Sequence, residues 1–188
     1  MAIKIYIDQG HNPNPPNTGA EGNGYREQDI SYAVGQSLAS LLRNDGRFDV
    51  RLSRPTQSTQ LGTSNASSLS ARVNEANSWG ADYFISIHTN ASVSPSASGT
   101  EVLVYSSPSA SASLAEDVLR AVTDITGFQS RGVKLRPGLY VLRKTKMPAI
   151  LVELGFISNP YEANFMANNS SLFAEGIYRG LLDYLSLS

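Results

Sequence analysis

Cysteine is absent from the 188 residues, which excludes disulfides, thiolate zinc sites and cysteine nucleophiles. A side-chain metal site must therefore use His, Asp, Glu or water, and the chain has only 2 histidines. The lack of thiols is compatible with either redox compartment. Neither sign of charge dominates: 15 Lys and Arg against 16 Asp and Glu leave a formal net charge of −1. No basic block stands out, so no nucleic-acid partner is expected. No apolar run approaches the length of a membrane helix, so no membrane span is expected either. No signal peptide is visible, because Met1 leads straight into the strand-like run at residues 3–7. A target outside the cell would then need a trimmed leader, a neighbouring module or release by lysis. What is present, 41% hydrophobic and 16% charged residues, describes one globular domain over residues 1–188 with a single core, expected to be a monomer.

Short apolar runs alternate with helical patterns, the signature of an α/β fold. The expectation is a single-domain, twisted, mostly parallel (mixed) sheet of about six strands with helices on both faces. Strand candidates are residues 3–7, 48–52, 83–87, 101–105, 139–142 and 149–152. The Gly, Asn and Pro-rich stretch 10–24 reads as loop. Ile30, Ala33, Val34, Leu38, Leu41 and Leu42 share one helical face, ending near Gly46. A Ser, Thr and Gln-rich loop over 53–68 leads into a helix at about 69–79, stopped by Gly80. Ser113 and Glu116 have capping-box spacing and are expected to open the helix that runs to about Ile125. Asn159, Pro160 and Glu162 read as cap, first position and third position of a short helix. A final amphipathic helix carries Leu172, Phe173, Ile177, Leu181 and Leu185.

Each histidine follows directly on an apolar strand. His11 comes after the first strand through Asp8-Gln9-Gly10, and His88 ends the run Tyr83-Phe84-Ile85-Ser86-Ile87. Ligands of open α/β sheets bind at the carboxyl ends of strands, so both imidazoles are delivered to the favoured edge. A surface or satisfied core histidine is the plainer reading of either one alone. Glu27 lies three residues before Ile30 and seven before Val34, on the face that packs against the sheet. It either compensates the helix dipole or binds a cation, and two His with one Glu form a catalytic zinc set that leaves a position for water. Glu153 ends the apolar run Ala149-Ile150-Leu151-Val152, where an unpaired carboxylate is costly. It is either a proton shuttle facing the same edge or the partner of a buried arginine such as Arg54 or Arg72. Glu21 and Glu101 are competing carboxylates, expected to be solvated or supporting. Asn90 either bonds substrate or fixes its own turn. Walker, G-x-S-x-G and H-E-x-x-H signatures are missing.

Four ordered segments resemble the type 3 family of zinc N-acetylmuramoyl-L-alanine amidases. Ile7-Asp8-Gln9-Gly10-His11 is similar to the family's I-D-P-G-H segment, and Arg26-Glu27-Gln28-Asp29-Ile30 to the helix start bearing its glutamate ligand. Ser86-Ile87-His88-Thr89-Asn90-Ala91 is similar to S-I-H-x-N-A, and Val152-Glu153-Leu154-Gly155-Phe156-Ile157-Ser158-Asn159 to E-L-G-F-x-S-N. Ser53-Arg54, Ala71-Arg72-Val73 and Glu75-Ala76-Asn77 also fit, as scaffold. The resemblance implies Zn2+ held by His11, Glu27 and His88, with Glu153 catalytic. It further implies cleavage of the lactyl–L-alanine amide of bacterial peptidoglycan, at the cell wall. The residues by themselves reach only a metal-assisted amide hydrolase, so a metallopeptidase cutting another stem-peptide bond and a non-catalytic wall-binding domain stay open. Two departures stand out: Gln9 replaces the family's proline, and Asn12-Pro13-Asn14-Pro15-Pro16 replaces the glycine after the histidine. The stretch 53–68 lacks a helical pattern, so no autoinhibitory helix is expected there.

Overall fold

A computed structural model describes residues 2–187; Met1 and Ser188, the two ends of the expected domain, lie outside the described residues. In chain order the elements are β1 (Ile3–Gln9), β2 (Glu21–Gly22), β3 (Tyr25–Arg26), α1 (Glu27–Asp45), β4 (Phe48–Leu52), α2 (Asn65–Trp79) and β5 (Tyr83–Asn90). Then follow β6 (Thr100–Val104), α3 (Ala110–Thr126), β7 (Ser130–Leu135), α4 (Tyr140–Lys144), β8 (Ala149–Phe156), α5 (Pro160–Asn168) and α6 (Ser170–Tyr184). Six strands form one mixed sheet in the order β4-β1-β5-β8-β6-β7. The first four are mutually parallel, while β6 runs antiparallel to β8 and carries β7 parallel to itself.

The period of two along each strand sorts side chains between two unequal cores. Ile5, Ile7, Ile85, Ile87, Ile150 and Val152 face the larger core, built with α1, α3, α5 and α6. Tyr6, Phe84, Leu103 and Leu151 face the smaller one, covered only by α2 and α4. By the same alternation Asp8, Ser86, His88 and Glu153 lie on the thinly covered face. Two helices cannot cover all of it, and the uncovered part at the carboxyl ends of β1, β5 and β8 becomes a cavity.

The sequence expectations fail in four places. Residues 139–142 are not a strand: they lead into α4, and the sixth strand is instead β7. A four-residue apolar run suits either state, and β7 (SRGVKL) has no apolar alternation because it is a largely exposed edge strand. The loop 10–24 contains part of a small hairpin, β2 with β3. The helix α2 starts at Asn65, capped reciprocally by Ser64 and Ser67, a pairing without the Glu or Gln of the usual signature. The helix α3 is capped by Ser109, so Ser113 and Glu116 lie inside it. Of the stretch 53–68 expected to be loop, residues 53–64 contain no helix and 65–68 form the first turn of α2.

Candidate metal centre and its cavity

Glu27 is the first residue of α1, and the hairpin β2–β3 turns the chain into it, with its own N–H bonded to the Ala20 carbonyl at 2.9 Å. Its carboxylate is buried and held by backbone donors: Oε2 accepts from Ala20 N at 2.9 Å and Oε1 from Thr89 N at 3.0 Å. The second donor is free because Thr89 lies on the β1 side of β5, one step past the last β1–β5 pair, Gln9–Ile87, so its N–H meets Glu27 instead of a strand. Glu27 Oε1 also lies 2.9 Å from His88 Nδ1 and 3.2 Å from His11 Nε2.

His11 reaches the cluster from a left-handed backbone, φ 67°, a conformation that costs a non-glycine residue about 1 kcal/mol or more. Arg72 holds it there, donating to the His11 carbonyl at 2.7 Å. Close packing also demands glycine nearby. A Cβ on Gly10 would lie 2.5 Å from the His88 ring, and one on Gly19 2.7 Å from the Glu27 carboxylate. The imidazoles meet edge to face with centroids 4.8 Å apart.

One ligand atom from each of His11, Glu27 and His88 can be chosen so that all three lie within 4.8 Å, a set that can hold a metal ion. Two imidazole nitrogens and a carboxylate oxygen suit a borderline divalent ion such as zinc. Burial works to raise the Glu27 pKa, but hydrogen bonds and charge from the two histidines outweigh it and hold the carboxyl well below its usual range. Burial works to lower His88, and Glu27 outweighs it in the other direction, so His88 is raised. His11 Nδ1 is buried without a hydrogen-bond partner. A buried carboxylate between two imidazoles, with no lysine or arginine bonded to it among the described residues, fits a site built for a cation.

Glu153 stands beside His88 in the β5–β8 register and opposite Glu101 across β6. Neither arginine weighed as its partner reaches it. Arg72 donates to Asp8 Oδ1 and to the Gln9 carbonyl, each at 2.6 Å, and Arg54 donates to the carbonyls of Gln28 and Gln57. Glu153 Oε2 is buried with no hydrogen-bond partner among the described residues. Burial is the main reason its pKa is pushed up to about 7; Glu27 and Glu101 add to the rise and His88 opposes it.

Glu101 is buried rather than solvated, accepting from Asn90 Nδ2 at 3.1 Å and from Arg131 Nε at 3.3 Å. Asn90 lines the cavity and also fixes its own turn, its Oδ1 accepting from Ala91 N. Glu21 stays exposed near Arg26. The two departures in the first loop are structurally absorbed. Gln9 is fully buried, its N–H donates to Ser53 Oγ and its side-chain oxygen accepts from Arg54 N, both at 2.9 Å. Asn12 clamps the proline-rich loop to Leu61 by bonds in both directions.

The cavity, about 450 Å³, continues from the cluster along the sheet face over Leu103 and Leu151 to Leu139, Tyr140 and Arg136. Asp8 and Arg72 each lie in a segment that fits the family, but nothing in those motifs pairs them, and Arg136 lies in no motif. Only the alternation that puts Asp8 on the face of Tyr6 could have suggested the pair.

The family profile described as N-acetylmuramoyl-L-alanine amidase matches residues 5–183. The N-acetylmuramoyl-L-alanine amidase CwlM of Bacillus licheniformis is 37% identical over 180 residues, covering 95% of this chain and 65% of that protein. The sporulation-specific N-acetylmuramoyl-L-alanine amidase of Bacillus subtilis (strain 168) is 34% identical, with the same 95% and 65%. The chain thus spans 65% of the length of these two relatives. The crystal structure of an N-acetylmuramoyl-L-alanine amidase from Clostridium difficile 630 superposes with a TM-score of 0.88 at 30% identity, covering 98% of this chain and 97% of that one.

Proposed function

The chain belongs to the N-acetylmuramoyl-L-alanine amidase family, and from that membership we propose that it hydrolyses the amide joining the lactyl group of N-acetylmuramic acid to L-alanine in bacterial peptidoglycan. The whole of residues 1–188 is the catalytic domain, and it acts at the cell wall. His11, Glu27 and His88 hold a zinc ion (Zn2+), and Glu153 is the acid–base residue. The observation that carries this reading is the meeting of a His-Glu-His donor set with a buried carboxylate whose Oε2 has no partner.

Zinc, when bound, supplies Lewis acidity toward water and the amide carbonyl. Glu153 takes a proton from the attacking water and returns it to the departing amine. Burial pushes this carboxyl up and a bound cation would draw it down, an opposition that suits a group carrying a proton in both directions. The Ala20 and Thr89 amides lock the Glu27 carboxylate in one orientation, so little reorganisation accompanies metal binding. Asn90, tied to Glu101 and Ala91, retains one amide hydrogen and one lone pair for the substrate.

Elemental analysis, coupled to release of new amino termini from purified peptidoglycan, tests the proposal. About one zinc per chain is expected, with N-terminal alanine exposed on the stem peptides. Activity should be lost to a chelator and restored by zinc. Folded protein with neither zinc nor cleavage overturns the reading, and exposure of a residue other than alanine places the cut elsewhere in the stem.

A further inference from the structure

The trough that leaves the metal cluster has a composition the hydrolytic step does not use. Its floor is Leu103 and Leu151, a cross-strand pair two residues from the Glu101–Glu153 pair. Val141 and Leu139 form a wall, and Tyr140 and Arg136 line the far end. The cations lining the cavity are Arg72 and Arg136. Arg72 is committed to Asp8 and to two backbone carbonyls. Among the described residues the Arg136 side chain donates to the neighbouring Leu135 carbonyl, at 3.0 Å, and has no carboxylate partner.

Arg136 is exposed, and its backbone is anchored at a defined place along the trough. Its N–H bonds the Val104 carbonyl at 2.8 Å, and the turn to Leu139 closes with the Leu139 N–H on the Arg136 carbonyl at 3.1 Å. Val104 is one residue beyond the Leu103–Leu151 pair and β7 is two strands from β8, so the backbone of Arg136 lies about 10 Å along the strands and about 10 Å across them from Glu153, about 14 Å in all. Two extended peptide residues span about 7 Å, and an arginine side chain closes the remainder. The opposite end of the cavity, with Asn17, Thr89 and Asn90, is polar and neutral in its side chains. That end suits a sugar.

We infer that the trough takes the stem peptide on the departing-amine side, with the alanine methyl over Leu103 and Leu151 and Arg136 paired to a free carboxylate on the second residue. The inference rests on the amidase reading above. In a peptidoglycan stem that second residue is a glutamate joined through its side chain, so its α-carboxyl is either free or amidated. The cavity already holds Asp8, Glu27 and Glu153. Asp8 is already matched by Arg72, so Arg136 is the lining arginine left to receive a substrate carboxylate, and a carboxamide loses the charge-assisted bond. Arg136 therefore makes the enzyme a discriminator between the two stem chemistries.

The test uses two glycan fragments of equal length whose stems differ only in that α-carboxyl, one free and one amidated. Wild-type protein should show a kcat/KM about 10- to 100-fold higher on the free carboxylate. Arg136→Ala should collapse that ratio to about one, chiefly through KM, and Arg136→Lys should restore part of it, as expected for a point charge without the planar fork. Arg143→Ala, which removes an exposed charge from α4 outside the trough, should keep the wild-type ratio. A wild-type ratio near one, or the same ratio in wild type and Arg136→Ala, overturns the carboxylate assignment while the amidase reading stands. Cleavage of neither fragment by zinc-loaded wild-type protein overturns both together.

Discussion

Leaving a buried carboxyl oxygen without a donor costs on the order of 1–3 kcal/mol, and Glu153 sits in that condition between His88 and Glu101. A residue chosen for stability alone would be apolar here, like Leu151 two positions earlier on the same face. Glu153→Gln keeps the shape and removes the titratable proton. It should leave the zinc content unchanged, hold or raise the melting temperature, and lower turnover on peptidoglycan by about 10²- to 10⁴-fold. Hydrolysis at the wild-type rate would dismiss Glu153 as the proton carrier. Its exposure to sequence reading came from contrast, one acid closing an apolar run. Glu101 offered no such contrast at the start of its strand, and of the two roles expected for it, solvated or supporting, the structure shows a buried carboxylate holding Asn90. Arg72 was weighed as a partner for Glu153 because nothing in the sequence says which acid of the face an arginine reaches. The structure gives it Asp8.

Element placement was legible wherever one period ran long enough to name its state, as in α1 and β5, and it failed where pairing alone decided the outcome. The strand β7 owes its existence to the edge of β6, and α4 is a five-residue helix too short to show a helical period. A second feature hidden from hydrophobic periodicity is the contact between α3 and α6. Phe173, Ile177 and Leu181 form the buried face of α6 as expected, whereas Leu172 is half-buried and Leu185 lies just past the helix end; the distance between the helices is set by what is missing. A Cβ on Gly176 would lie 2.6 Å from Val122 Cα, and one on Gly180 2.4 Å from Val118 Cα and 2.7 Å from the Asp117 carbonyl oxygen. Gly180→Ala gains about 1 kcal/mol of helix propensity. It meets backbone that no rotamer change can relieve, and overpacking of that kind costs about 1–3 kcal/mol. The clash should win. Thermal unfolding should shift down by a few degrees, at roughly 2–4 °C per kcal/mol for a chain of this size, with kcat at 25 °C unaltered. An unchanged or higher melting temperature would show that α3 and α6 can separate at little cost.

Across the whole molecule the two faces of the sheet divide the labour: one is filled by the larger apolar core and the other is covered thinly and carries the polar groups. The fold class could be read from the alternation of runs, but this inequality could not. It depends on how many helices return to each side. Its consequence is that a stability term lies under the cavity floor. Asp8 bonds Arg72 at 2.6 Å and accepts from Ser86 Oγ at 2.7 Å, joining β1, β5 and α2. Burial acts to raise the Asp8 pKa, but the charge and hydrogen bond of Arg72, with His88 and Ser86 adding, outweigh it, so the carboxyl is held below its ordinary value. A carboxyl lowered in the folded state contributes stability that is complete above its unfolded pKa, about 3.9. That contribution is lost as the pH falls through the folded value. Asp8→Asn removes the titration and leaves Arg72 buried without its counter-ion, a change that costs on the order of 3–5 kcal/mol when a buried pair is broken. Urea unfolding should therefore show the variant far less stable than wild type at pH 7, with the gap narrowing as the pH drops below 4 because only the wild type loses the ionised pair. A gap that stays constant from pH 7 to pH 3 would mean that Asp8 contributes through shape and neutral hydrogen bonds, and that the acid sensitivity of the fold arises elsewhere.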